Sequence, residues 1–154
     1  MLLESLRGAL LAQTVTTVLV LLLIQPSASL RQWYRALRLD AMVLDVLSLA
    51  LGAYVGLRLA PAEDLVAQVG IAVLAGVVHD VSFGYFLHVT PRGASPVLDL
   101  FKAYAAEKRW RIVFDDALMI AGAVVASRVL VCYPDADAIA ALLAYVNLML
   151  VHSF

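Results

Sequence analysis

Five long apolar segments, separated by short stretches that hold most of the charge, constrain this chain more than any other feature. They cover about residues 8–24, 41–58, 65–89, 112–133 and 137–153. A helix needs ~20 mostly apolar residues to cross a bilayer core. The last segment reaches that scale only if Asp137 and the tail toward Phe154 contribute, so the expected count is five spans, or four without it. Composition agrees: 64% of the 154 residues are hydrophobic and 15% charged, with a mean hydropathy of +0.93. Such a chain could bury that much apolar surface in water only inside a far larger core, so the expected solvent is lipid. The expected fold is an all-α integral membrane protein. Residues 1–154 form one domain, a bundle of five or four transmembrane helices with a short cytoplasmic interfacial helix between the third and fourth.

Charge sets the expected topology. Arg31, Arg35 and Arg38 follow the first segment, and Arg92, Lys102, Lys108, Arg109 and Arg111 follow the third. Five traverses therefore place eight of the eleven basic residues on one side. The other side holds Arg7, Arg58 and Arg128 with Glu63, Asp64, Asp135 and Asp137. Basic loops stay cytoplasmic, which orients the N-terminus outside and the C-terminus inside. Trp33, Tyr34, Trp110 and Tyr133 fall at predicted span ends, where amphipathic rings settle at the headgroup level. The first segment precedes Gln25-Pro26-Ser27-Ala28-Ser29, a stretch with the small residues of a secretory cleavage site. Its leading region is not clearly basic, because Glu4 offsets Arg7, and it reads as the first span.

Pro91-Arg92-Gly93 is a stop, and Ser95-Pro96 then supplies an N-cap with proline at the first helical position. A helix is predicted over about 95–108. Val97, Leu98, Phe101, Tyr104 and Ala105 recur at helical spacing opposite Asp99, Lys102, Ala106 and Glu107, a pattern that suits a helix lying in the interface. No internal repeat of useful length is visible.

The informative residues are polar groups inside the spans: Asp45 on the second, His79 and Asp80 on the third, Asp115 and Asp116 on the fourth. A charge at mid-helix costs ~2.5–3.5 kcal/mol to insert, so these groups must pair, protonate or face water. At ~1.5 Å per residue they converge on the cytoplasmic half of the bundle, because the second and fourth spans run outward and the third inward. Small residues accompany them. Asp45 shares a stripe with Gly52 and Gly56, Asp80 with Gly76 and Gly84, Asp115 with Gly122 and Ala126, and Asp116 with Ala123 and Ser127. Such seams let backbones approach closely, and the second, third and fourth spans are expected to form the tight core. Gln13, Thr14, Thr16 and Thr17 of the first span are expected near its outer end. Adjacent positions diverge by ~100°, so His79 and Asp80 cannot face one point, nor can Asp115 and Asp116.

Three functions of different class fit. The first is an oligomeric protein that conducts protons or cations, or transports, through intramembrane acids. Asp80 would be its central group, with His79, Asp45, Asp116, Asp115 and His88 along the pathway. The second is a structural or accessory subunit of a larger membrane assembly, with the acids as packing glue. The third is a metal-dependent enzyme acting on a lipid headgroup, with Arg92, Lys102 and Arg111 as phosphate contacts. No catalytic residue and no cofactor is expected. The expected partners are the lipid bilayer and further copies or other membrane subunits.

Other roles are excluded. The basic residues lie in loops rather than along an aromatic-studded groove, which excludes a dedicated nucleic-acid surface. No span contains lysine, so there is no retinal Schiff base, and no Walker, Rossmann, CxxC or HExxH pattern occurs. Cys132 is the single cysteine and reads as a small apolar filler. Bis-histidine haem is disfavoured rather than excluded, because His79 and His88 fall about 180° apart on one helix.

Overall fold

The computed structural model describes residues 1–24 and 26–154, Ile24 by its backbone alone, so Gln25 lies outside the described residues. The chain is 84% helical with no strand among them. Seven helices are described: α1 (Leu2–Leu19, continued by a π turn at Val20–Ile24), α2 (Ala28–Leu37), α3 (Leu39–Leu59), α4 (Leu65–Val89), α5 (Pro96–Lys108), α6 (Arg111–Leu130) and α7 (Ala136–Val151). Three are long and apolar enough to cross a membrane: Leu2–Leu23, Leu39–Leu59 and Leu65–Val89. α6 differs by carrying Arg111, Asp115, Asp116 and Arg128, and α7 by its 16 residues.

Local chemistry sets the boundaries. Asp64 caps α4 by accepting from Ala67 N at 2.8 Å, which satisfies one of the free N–H groups of a first turn. Ser95 and Pro96 open α5 as the spacing predicts, although the serine side chain makes no cap bond. Ser27 caps α2 by accepting from Leu30 N at 3.3 Å. That helix falls within a stretch read from sequence as a loop. α1 begins six residues before the predicted Gly8, because Glu4 suits the positive end of a helix dipole.

α1, α3, α4, α6 and α7 run alternately between two ends. At one end Arg7 reaches Asp137 at 2.5 Å, and Arg128 donates to the Ala62 carbonyl at 3.0 Å. At the other, α2 packs on α5 through Trp33 and Phe101, with ring centroids 4.5 Å apart. Tyr34 stacks there on Phe154 at 4.3 Å, and Arg35 donates to the Phe154 carbonyl at 2.8 Å. Eight of the eleven basic residues belong to this second, basic end.

α3, α4 and α6 do pack on one another, but the expectation that they form the tight core needs correction, because it leaves out α1. α1 is the central helix, packing most extensively against α6 and α3 and also against α7, while α4 lies at the flank against α3 and α6. Small residues explain the choice. A side chain at Gly8 would run into the backbone of Ala123 and Ser127, and one at Gly56 into the Gln68 carbonyl and Ala72. Gly52 and Gly76 both close on Ile120, which plugs the space between three helices. Gly84 and Gly70 approach nothing within 4 Å, so neither is a packing seam within one copy.

The contacts also reveal a two-unit plan that the sequence does not advertise. α1-α2-α3 and α4-α5-α6 are each helix, short helix at the basic end, and returning helix. Exchanging the units maps α1·α6 onto α3·α4 and α1·α3 onto α4·α6, with α2·α5 mapping onto itself. Each short helix turns into the next through one arginine at positive φ: Arg38 at 48° and Arg109 at 55°. Seven residues beyond each arginine stands an acid, Asp45 or Asp116.

Candidate functional site

Asp45 on α3 lies beneath the basic end and accepts a hydrogen bond from the Tyr34 hydroxyl at 2.5 Å. Gln13 of α1 donates to the same hydroxyl at 2.8 Å, so Gln13, Tyr34 and Asp45 form one connected chain across three helices. Trp33 and Tyr34 are therefore core residues, 5% and 4% exposed, rather than interfacial anchors. They sit inward because α2 lays its apolar face across the bundle. Trp110 and Tyr133 do face outward, 72% and 54% exposed. Gln13, Thr14 and Thr17, expected near an outer end, are buried within the bundle, because α1 starts earlier than predicted.

Asp116 of α6 lies within electrostatic reach of Asp80, Asp45 and Asp115. Tyr104 of α5 lies within electrostatic reach of Asp116 and Asp45. Burial first, then the fields of Asp116, Asp115, Asp45 and Glu107, push its hydroxyl above the ordinary phenol range. Burial, then Asp45, does the same to Tyr34. The result is a set of acids from three helices roofed by two phenols from the short helices. No lysine or arginine makes an ion pair with Asp45, Asp80 or Asp116 among the described residues. One oxygen of Asp80 is 3.2 Å from His79 Nδ1, while the other is buried without a partner.

The remaining sequence-predicted residues lie around this set. His79 points outward, its side chain 67% exposed, and stacks on Phe83 at 5.9 Å. Asp115 turns to Lys108 Nζ at 3.5 Å. His88 stands away from the acids, in a surface cavity with Arg92 and Lys102, and Arg111 lies outside that cavity. No group of three His, Cys, Asp or Glu side chains is arranged to hold a metal ion among the described residues. Hydroxyls that could have served the acids are used locally: Ser48 donates to the Asp45 carbonyl and Ser82 to that of Val78, the usual back-bonding of hydroxyls in helices.

Sequence reading missed three contributors. Tyr34 and Tyr104 carry the roof, and Asn147 of α7, 2% exposed, ties α7 to α1 by donating to Thr14 Oγ1 at 2.7 Å. An amide inside an apolar helix was the available signal for Asn147, and the spacing of Leu30, Trp33, Tyr34 and Leu37 was the signal for α2. Comparison with protein-family models, curated proteins and solved structures found no match.

Proposed function

We propose that this chain is a five-span integral membrane protein whose acids Asp45, Asp80 and Asp116 bind and pass protons or small cations within a homo-oligomer. The carrying observation is that Asp116 lies within electrostatic reach of Asp45 and Asp80, carboxylates of three helices unpaired by lysine or arginine, with Tyr34 bonded to one of them and Tyr104 within reach of two. Intramembrane carboxylates are costly, and they are the usual material of proton relays and cation paths. The alternation of five helices between two ends and the gathering of eight basic residues at one of them support five spans with the N-terminus outside and the basic end cytoplasmic. The two-unit plan supports transport, because transporter folds commonly repeat a helical unit and bind at the interface of the repeats. Asp45 and Asp116 hold corresponding positions there.

Tyr34 and Tyr104 would separate the acids from the cytoplasm, and a column of buried polar groups would continue outward along α1. Gln13, Thr14, Asn147, Ser127 and Ser5 are buried polar side chains on that stretch, Asn147 joined to Thr14 at 2.7 Å. The bare outer face of α4, with Val66, Leu74, Val78 and Tyr85 exposed, supports association with further copies. The same face also favours a second reading, an accessory subunit docked through α4 in a larger assembly.

The test is proton and cation flux into vesicles holding purified protein, with an internal pH dye and an imposed potential. Wild type should exceed empty vesicles, Asp116→Asn and Asp45→Asn should lose the flux, and Asp137→Asn at the far end should keep it. No flux for any ion at verified insertion overturns the conduction reading in favour of the accessory one.

A further inference from the structure

The last turn of α4 and the middle of α5 flank a shallow, open surface cavity of about 430 Å³ whose lining includes His88, Arg92 and Lys102 and no acid. Of the carboxylates nearest in sequence, Asp99 accepts from Gly93 N at 2.9 Å with its other oxygen buried and turned away from solvent, and Glu107 accepts from Ser29 N at 3.0 Å. Lys102 donates to the Thr90 carbonyl at 2.5 Å. That contact fixes the ammonium at the cavity wall and offsets the negative end of the α4 dipole. Neither Arg92 nor Lys102 has a carboxylate partner among the described residues. Convergent cations without counter-charge attract an anion, and arginine beside lysine matches the oxygens of a phosphate.

The rest of the lining is apolar. Gly84 leaves the α4 surface open, with nothing within 4 Å of where a side chain would begin, and Leu87 forms part of the wall. Val81 and Tyr85 continue an apolar, exposed face along α4 away from the cavity. A charged mouth at the end of an apolar helix face fits a molecule with a phosphate at one end and hydrocarbon at the other.

The geometry points to a binding site for an anionic phospholipid of the leaflet at the basic end, its phosphate held by Arg92, Lys102 and His88 and one acyl chain laid over Gly84. This rests on the membrane reading above. Basic pockets beside spanning helices on the cytoplasmic side are where anionic headgroups bind.

The experiment is native mass spectrometry of the full chain in detergent with equimolar phosphatidylcholine and phosphatidylglycerol of identical chains. Wild type should retain phosphatidylglycerol preferentially. Arg92→Ala with Lys102→Ala should lower that preference about twenty-five-fold, at about fivefold per cation removed. Gly84→Leu keeps every charge and meets open space, so it should fold and still lose the preference. Arg58→Ala, at the opposite end of the bundle, should keep it. Equal retention of the two lipids by wild type overturns the site, as does a preference unmoved by both cavity variants. Displacement of phosphatidylglycerol by millimolar inorganic phosphate would make it a soluble-anion site instead and overturn the lipid assignment. Alkaline carbonate extraction of cell membranes separates the two levels. Protein that stays in the pellet without lipid preference loses only the site, and protein that is released loses the membrane reading and the site together.

Discussion

Tyr34→Phe removes one oxygen and disconnects two helices from α2. The hydroxyl accepts from Gln13 at 2.8 Å and donates to Asp45 at 2.5 Å, in a side chain 4% exposed. On the membrane reading, hydrogen bonds between helices in lipid average ~0.6 kcal/mol, so two contribute about 1.2 kcal/mol. A bond to a charged group reaches ~1.5–3 kcal/mol, and a buried partner left unpaired adds its desolvation cost. Gln13 keeps a weaker bond to Thr17 at 3.3 Å, which moderates its loss. The expected destabilisation is about 2 kcal/mol. The assay is reversible unfolding in mixed micelles, followed by helicity, for Tyr34→Phe, Gln13→Leu and the double variant. The double should cost less than the two singles combined, because deleting both partners leaves fewer orphaned groups. A Tyr34→Phe cost under about 0.5 kcal/mol, or strict additivity, would refute the connected chain.

Two other outcomes follow from packing and charge. Gly8→Ala forces a methyl into the α6 backbone and should lower stability in thermal unfolding by about 1–3 kcal/mol, whereas Gly70→Ala, in open space, should be neutral or raise it by up to ~1 kcal/mol. The Ser29 side-chain and backbone hydrogen bonds hold the Glu107 carboxyl below its ordinary value of 4.5. A depressed folded-state value contributes stability that is present above the ordinary value and lost as pH falls through the lowered one. Trp33 fluorescence, read in a Trp110→Phe background, should therefore hold steady down to the ordinary carboxylate range and shift below it as α2 lifts from α5. Glu107→Gln should remove that acid step.

How much was legible in the sequence depended on whether a signal was local. The apolar run over residues 65–89 and the Ser95-Pro96 start reappear as α4 and α5, because hydrophobic periodicity, caps and proline act within a few residues. The convergence of Asp45, Asp80 and Asp116 was also readable, since alternating helix direction dictates their level. α2 was hidden by its charge: three arginines in 31–38 read as loop, although its apolar positions recur at helical spacing. The centrality of α1 was hidden for a different reason. Gly8, Ala9 and Ala12 look like weak filler in one dimension, and only their meeting with Ala123 and Ser127 reveals a close approach. Tyr34 was placed at a boundary by its residue type, which cannot say whether a ring near a helix end turns toward lipid or folds under a neighbouring helix.

Arg38 and Arg109 stand where the backbone has positive φ, a conformation that glycine enters freely and that costs other residues of order 1–3 kcal/mol. Glycine would relax both corners but, on the membrane reading proposed above, would remove two of the positive charges that bias which way a nascent chain is threaded. Folding and insertion therefore pull on the same two positions in opposite directions. A strained arginine at both reversals is the outcome expected if biogenesis, rather than the stability of the finished bundle, was the tighter constraint on this chain.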